Sequence, residues 1–211
     1  MDKKLINYLG LLGVIGFLSY VAAITFSPFA YPDYNWMSQA VSDLFARDSP
    51  SLNLWNQLSV LYSACGIVSI TLVTAFIENK LNKTIRTGIY LFTIMNWISF
   101  IGYGLFPLSS SGYAGTFQDI MHTYLVTFLV VIFSVISLIF IIIGGFRDKR
   151  YVSLAKWALC SLLFMLIGAI GVGIVPSAYF GIPERFSVLS ATFFNAVLGV
   201  CLFKNFNFKS K

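Results

Sequence analysis

Leu5–Ser27 reads LINYLGLLGVIGFLSYVAAITFS, and whether this run is a removable leader or a membrane span decides the fold of the whole chain. Met1-Asp2-Lys3-Lys4 precedes it, which gives the run the charged start of a secretory signal. It is nevertheless well beyond the roughly 7–15 residues of a signal's apolar region, and Val21-Ala22-Ala23 is a poor cleavage site. The run predicts a first transmembrane helix. Five more apolar runs follow, at Leu54–Ile77, Arg86–Phe106, Asp119–Ile143, Ser153–Val175 and Phe186–Phe203. Each is close to the about 20 residues that a helix needs to cross a bilayer.

Composition supports the same reading. Charged residues are 10% of the chain and hydrophobic residues 58%, against about 25% charged in soluble domains. The expectation is an all-α polytopic membrane protein: a single integral domain over residues 1–211 with no room for a soluble one. A net charge of +6 would suggest nucleic acid for a soluble protein. Here the positive charge sits in short loops, where it sets orientation. With the N-terminus inside, twelve of the fourteen basic residues fall on cytoplasmic pieces, and only Arg47 and Arg185 fall outside. Six spans with both termini cytoplasmic, arranged as three helical hairpins, follow from that count. The predicted location is a cell membrane, crossed several times.

The polar breaks on the outer side carry the chemistry. The longest is Pro28–Asn53, PFAYPDYNWMSQAVSDLFARDSPSLN. Within it, Asn35–Ala46 is expected to lie on the membrane as a short interfacial helix, with Trp36 and Met37 on its apolar side and Ser38, Ser42 and Asp43 turned away. Pro107–Asp119 and Pro176–Arg185 are the other two breaks. The spans before them share Gly102-x-Gly104-x-x-Pro107 and Gly171-x-Gly173-x-x-Pro176, a weak internal repeat that is equally explained by proline's frequency just past helix ends. Asp119 and His122 stand three apart at the start of the fourth span, hence on one face. Asp119 either orients the imidazole or caps the helix. Glu184-Arg185 stands at the start of the sixth span, where Arg185 is available to a carboxylate or a lipid phosphate. Asn96 and Asn195 fall near mid-span, where an interhelical hydrogen bond is expected. Cys65, Cys160 and Cys201 sit in apolar runs without ligand spacing, so neither a disulfide nor a metal site is indicated. No cofactor motif is present, and nothing sets an oligomeric state.

Tyr31-Pro32-Asp33-Tyr34 followed by Ser38 and Ser42-Asp43-Leu44, Phe106-Pro107 with downstream His122, and Gly181-x-x-Glu184-Arg185 together resemble the domain-of-unknown-function 998 family of membrane proteins. The resemblance implies a prokaryotic six-helix membrane protein and no particular activity.

Three function classes fit these residues. One is a protein that binds or transports a lipid headgroup or small solute at the outer face, through Ser38, Asp43, Arg47, Glu184 and Arg185. Another is an interfacial lipid hydrolase or transferase with Ser42 (or Ser38) as nucleophile, His122 as base and Asp119 (or Asp43) as orienter. The third is an accessory membrane subunit without chemistry of its own.

Overall fold

A computed structural model describes residues 4–208. Lys3, Lys209 and Lys211, used in the charge count, lie outside the described residues, as does Asp2. Six helices are long and apolar enough to cross a membrane: α1 Leu5–Ala30, α2 Leu52–Ile77, α3 Lys83–Leu105, α4 Phe117–Phe146, α5 Lys149–Ile174 and α6 Gly181–Phe203. Among the described residues every regular element is helical.

Each helix packs on the next in the chain, and α6 returns to α1, so the six form a ring in which α6 also reaches α2. Half of the α6 window is buried, against a third or less for the others, which makes α6 the central helix. Lipid tails offer no hydrophobic drive for helices to associate, so close approach must do that work. It does so at small residues. A side chain at Gly199 would strike the Gly10 carbonyl, and one at Gly16 would lie 3.2 Å from the Gly66 backbone nitrogen. Between α3 and α6, Phe92 meets Phe194 edge to face at 5.2 Å. Other small residues also sit inside the bundle: Ser59, Gly66, Ser134 and Ser137 are buried, whereas Thr123 faces outward.

Capping explains the helix starts. Asn82 accepts from the Ile85 amide at 3.0 Å and opens α3, while its own amide reaches the Gly144 carbonyl on α4. α4 begins at Thr116 with a reciprocal capping box to Asp119. α6 starts at Gly181, five residues before the apolar run, because Pro183 is tolerated in a first helical turn. Glu184 and Arg185 are consequently helical.

The interfacial helix expected at Asn35–Ala46 is not formed. Turns occupy Trp36–Ser38, followed by a four-residue 3-10 turn at Ser42–Phe45. Side chains compete for the backbone donors a helix would use. The Asn35 amide donates to Gln39 Oε1 (2.7 Å), that of Met37 to Asn35 Oδ1 (3.0 Å), and that of Ala40 to Asp43 Oδ2 (3.0 Å). Asp43 is therefore buried rather than turned away, and Trp36 and Met37 are exposed.

Candidate functional site

The segment between α1 and α2 is a strap that ties together the segments before α4 and before α6. Toward 107–119, Arg47 N–H donates to the Leu108 carbonyl at 3.0 Å. Gly112 N–H donates to Asp43 Oδ1 and Ser111 N–H to Asp48 Oδ1, each at 2.9 Å. Gly112 stands at φ +81°, a left-handed conformation that glycine adopts at little cost and that aims its amide at the carboxylate. Toward 176–185, Gly181 N–H donates to the Met37 carbonyl at 2.8 Å and Val41 N–H to Glu184 Oε2 at 3.2 Å.

Arg185 anchors that junction. Its guanidinium donates to the carbonyls of Gln39 (3.0 Å) and Gly181 (2.8 Å) and to the Tyr34 hydroxyl (2.6 Å). Tyr34 in turn donates to the Ala40 carbonyl at 2.8 Å. Burial pushes the Tyr34 phenol up to about 12, more than the neighbouring guanidinium lowers it. Arg185 thus spends its fork on the strap and not on a carboxylate. Among the described residues the ion pair is Arg150–Asp148 at 2.8 Å, at the opposite end of the bundle. The carboxylate partner that the sequence left open to Arg185 is not found among the described residues.

Asp119 is buried and fully engaged by its own loop. Its oxygens accept from Ser109 N–H (2.7 Å), Ser109 Oγ (2.8 Å), Ala114 N–H and Thr116 N–H (both 3.1 Å). The capping alternative is the one the geometry displays. His122 turns elsewhere: Nδ1 lies 2.8 Å from the Phe106 carbonyl. A carbonyl only accepts, so Nδ1 carries the proton, and Nε2 of the neutral ring keeps its lone pair. The Asp–His bond of a triad is absent. Ser38 Oγ reaches only the Asn35 carbonyl at 3.5 Å, and Ser42 is half-buried. Arg47 projects into the open, and its side chain makes no hydrogen bond within the described residues.

Below the strap lies a cluster that sequence reasoning did not single out. His122 falls in a π-helical stretch, Met121–Thr127, a widened turn frequent at functional sites. Thr127 Oγ1 donates to the His122 carbonyl at 2.9 Å and meets the Tyr103 hydroxyl at 3.0 Å. The imidazole sits 4.7 Å from the Tyr103 ring and 6.3 Å from that of Phe45. The aromatic series continues from Phe45 to Trp55 (4.8 Å), Tyr20 (5.8 Å) and Tyr62 (4.5 Å). Glu184 is an electrostatic neighbour of Tyr20 and Tyr103. Tyr20, Trp55 and His122 are 7%, 6% and 5% exposed. Yet the Tyr20 hydroxyl, Trp55 Nε1, His122 Nε2 and the Glu184 Oε1 make no hydrogen bond among the described residues. None of these atoms is sealed off by its neighbours. The available signal was a tyrosine or tryptophan inside an apolar run, whose polar atom needs a partner when buried.

Deeper in the bundle the two asparagines meet as expected. Asn195 Nδ2 donates to the Gly66 carbonyl at 3.2 Å and approaches Asn96 Oδ1 at 3.4 Å. On the membrane-facing side, an almost wholly apolar groove of about 460 Å³ runs between α1, α5 and α6, lined by Phe17, Ile24, Trp157, Phe164, Phe186 and Phe193 among others. Among the described residues no three His, Cys, Asp or Glu side chains come together as a metal site.

Comparison with curated proteins and with solved structures returned no match. A family model described as "Protein of unknown function (DUF998)" matches residues 14–201, nearly the whole helical bundle. A match over that share of the chain places the protein: it belongs to the DUF998 family.

Proposed function

We propose that this is a multi-pass protein of the cell membrane, with both termini cytoplasmic and its spans paired as three hairpins, that binds or carries a lipid headgroup or small solute at its outer face. The observation that supports this reading is the cluster formed by the buried side chains of Tyr20, Trp55 and His122 with the half-buried Glu184, drawn from four different spans, whose Tyr20 hydroxyl, Trp55 Nε1, His122 Nε2 and Glu184 Oε1 make no hydrogen bond among the described residues and remain accessible. Accessible polar atoms without protein partners, gathered among aromatic rings, can each exchange a hydrogen bond with an incoming ligand. For a lipid, the groove that begins beside Arg185 at Phe186 suits an acyl chain. A hydrolase using Ser42, His122 and Asp119 is the weaker reading, because the carboxylate that should orient the imidazole is engaged by Ser109, Ala114 and Thr116.

The test is native mass spectrometry of the protein released from detergent, after purification with its own membrane lipids and solutes. The expected result is a retained mass on wild type that disappears in the Tyr20→Phe/Trp55→Phe/Glu184→Gln variant. Equal retention by both proteins, or none by either, counts against the reading.

A further inference from the structure

The chemistry of the unpaired atoms narrows the ligand class, an inference that rests on the binding reading above. Glu184 Oε1 is a carboxylate oxygen, and His122 Nε2 is a lone pair, because Nδ1 holds the proton against the Phe106 carbonyl. The Tyr20 hydroxyl both gives and accepts. Trp55 Nε1 is the single obligatory donor of the four. Around them stand aromatic rings from α1, α2, α3 and the strap, at centroid spacings between 4.5 and 6.3 Å. Such rings present negative faces to a cation.

The neighbouring ionisable groups favour the same class of ligand. Asp43 and Glu184 lie within electrostatic reach of one another. The cation that acts on Glu184, Arg185, directs its fork at Gln39, Gly181 and Tyr34. Two carboxyl groups stand against one guanidinium, and the guanidinium's contacts point into the strap. An anion such as a lipid phosphate would meet a carboxylate and no uncommitted cationic fork. We infer that the outer cluster of Tyr20, Trp55, Tyr103, His122 and Glu184 binds an organic ammonium cation, either free or as the amine headgroup of a zwitterionic lipid. The carboxylate neutralises its charge, and the rings replace its weakly held hydration shell.

The experiment uses the full-length protein in detergent, with choline chloride as the cationic probe and 3,3-dimethylbutan-1-ol as its uncharged counterpart of the same shape. Sodium chloride controls ionic strength, and sodium phosphate serves as the anionic probe. The readout is the part of the tryptophan fluorescence change that is lost in Trp55→Phe. Choline is expected to bind at least tenfold tighter than the alcohol, and Glu184→Gln, which keeps an acceptor for Val41 N–H, to remove that preference. Nanodiscs separate the two sources. If phosphatidylcholine discs abolish the choline response while phosphatidylglycerol discs retain it, the lipid headgroup is the ligand; a response in both assigns the free cation.

Equal affinity for choline and the alcohol in wild type overturns the cationic assignment and leaves a binding site in place. This comparison needs no variant to fold. A response to phosphate with none to choline does the same. No Trp55-dependent response to any of the probes removes the binding reading together with the inference.

Discussion

Replacing Arg185 with glutamine should release the strap from α6. The guanidinium makes three hydrogen bonds that join residues far apart in sequence, to Gln39 and Tyr34 on the strap and to Gly181 at the start of its own helix. Hydrogen bonds from a charged donor contribute about 1.5–3 kcal/mol each. The side chain is half-buried, so water satisfies part of what is lost, and the glutamine amide can restore one contact. A net loss of about 3 kcal/mol remains, which at roughly 2–4 °C per kcal/mol for a chain of this size lowers Tm by about 6–12 °C. Thermal unfolding in detergent measures the loss. Amide exchange locates it, since Gly181 and Val41 should be deprotected while the α3–α4 seam is unchanged. Arg185→Lys keeps the charge but not the planar fork, and should recover only part of the stability. A double-mutant cycle with Tyr34→Phe isolates the 2.6 Å bond and should give a coupling of about 1–2 kcal/mol. If Arg185→Gln melts within about 2 °C of wild type and residues 37–43 exchange no faster, the strap is held by something else and the reasoning about Arg185 is wrong.

Asp119→Ala should cost about 2–4 kcal/mol of stability, since the Ser109, Ala114 and Thr116 donors lose their acceptor. Ligand affinity per folded molecule should be unaltered, and the reverse pattern would return Asp119 to the site. Asn195→Leu should change stability by only about 1 kcal/mol, the scale of interhelical hydrogen bonds in membranes, because it also removes a buried oxygen that has no partner. Raising the pH should loosen the strap: with the Tyr34 phenol at about 12 when folded and about 10 when unfolded, its stabilisation is full below the lower value and is lost as pH climbs through the higher one. Unfolding of wild type and Tyr34→Phe between those values measures this, and a parallel decline in both would exclude Tyr34 as the cause. Orientation is checked in a background lacking Cys65, Cys160 and Cys201. Cysteines at the exposed Ala114 and Ala178 should label from outside with an impermeant reagent, and those at Glu78 and Lys149 should not. Ser49 is unsuitable as a probe, being buried against Ser51 and the Leu44 carbonyl.

The sequence alone determined the number of spans, because a hydrocarbon layer demands long apolar runs and leaves few alternatives for satisfying the backbone. It also located the polar segments that join the spans and named both readings of Asp119, since a capping acid three residues after a threonine is a local feature. The mid-span asparagines were legible for the same reason: a buried amide needs a partner, and few lie at that depth. The strap's shape was not legible. Its apolar periodicity favours a helix, and only the competition of the Asn35, Gln39 and Asp43 side chains for nearby amides decides otherwise. Nor did the sequence place Tyr20, Trp55, Tyr103 and His122 around one site with Glu184. Those residues stand on α1, α2, α3, α4 and α6, and helical periodicity says which face a residue occupies but not which neighbour that face meets. The ring closure of α6 onto α1 and its contact with α2 bring them together. That arrangement depends on close approaches such as Gly10 to Gly199, whose consequence exists only once the helices are packed.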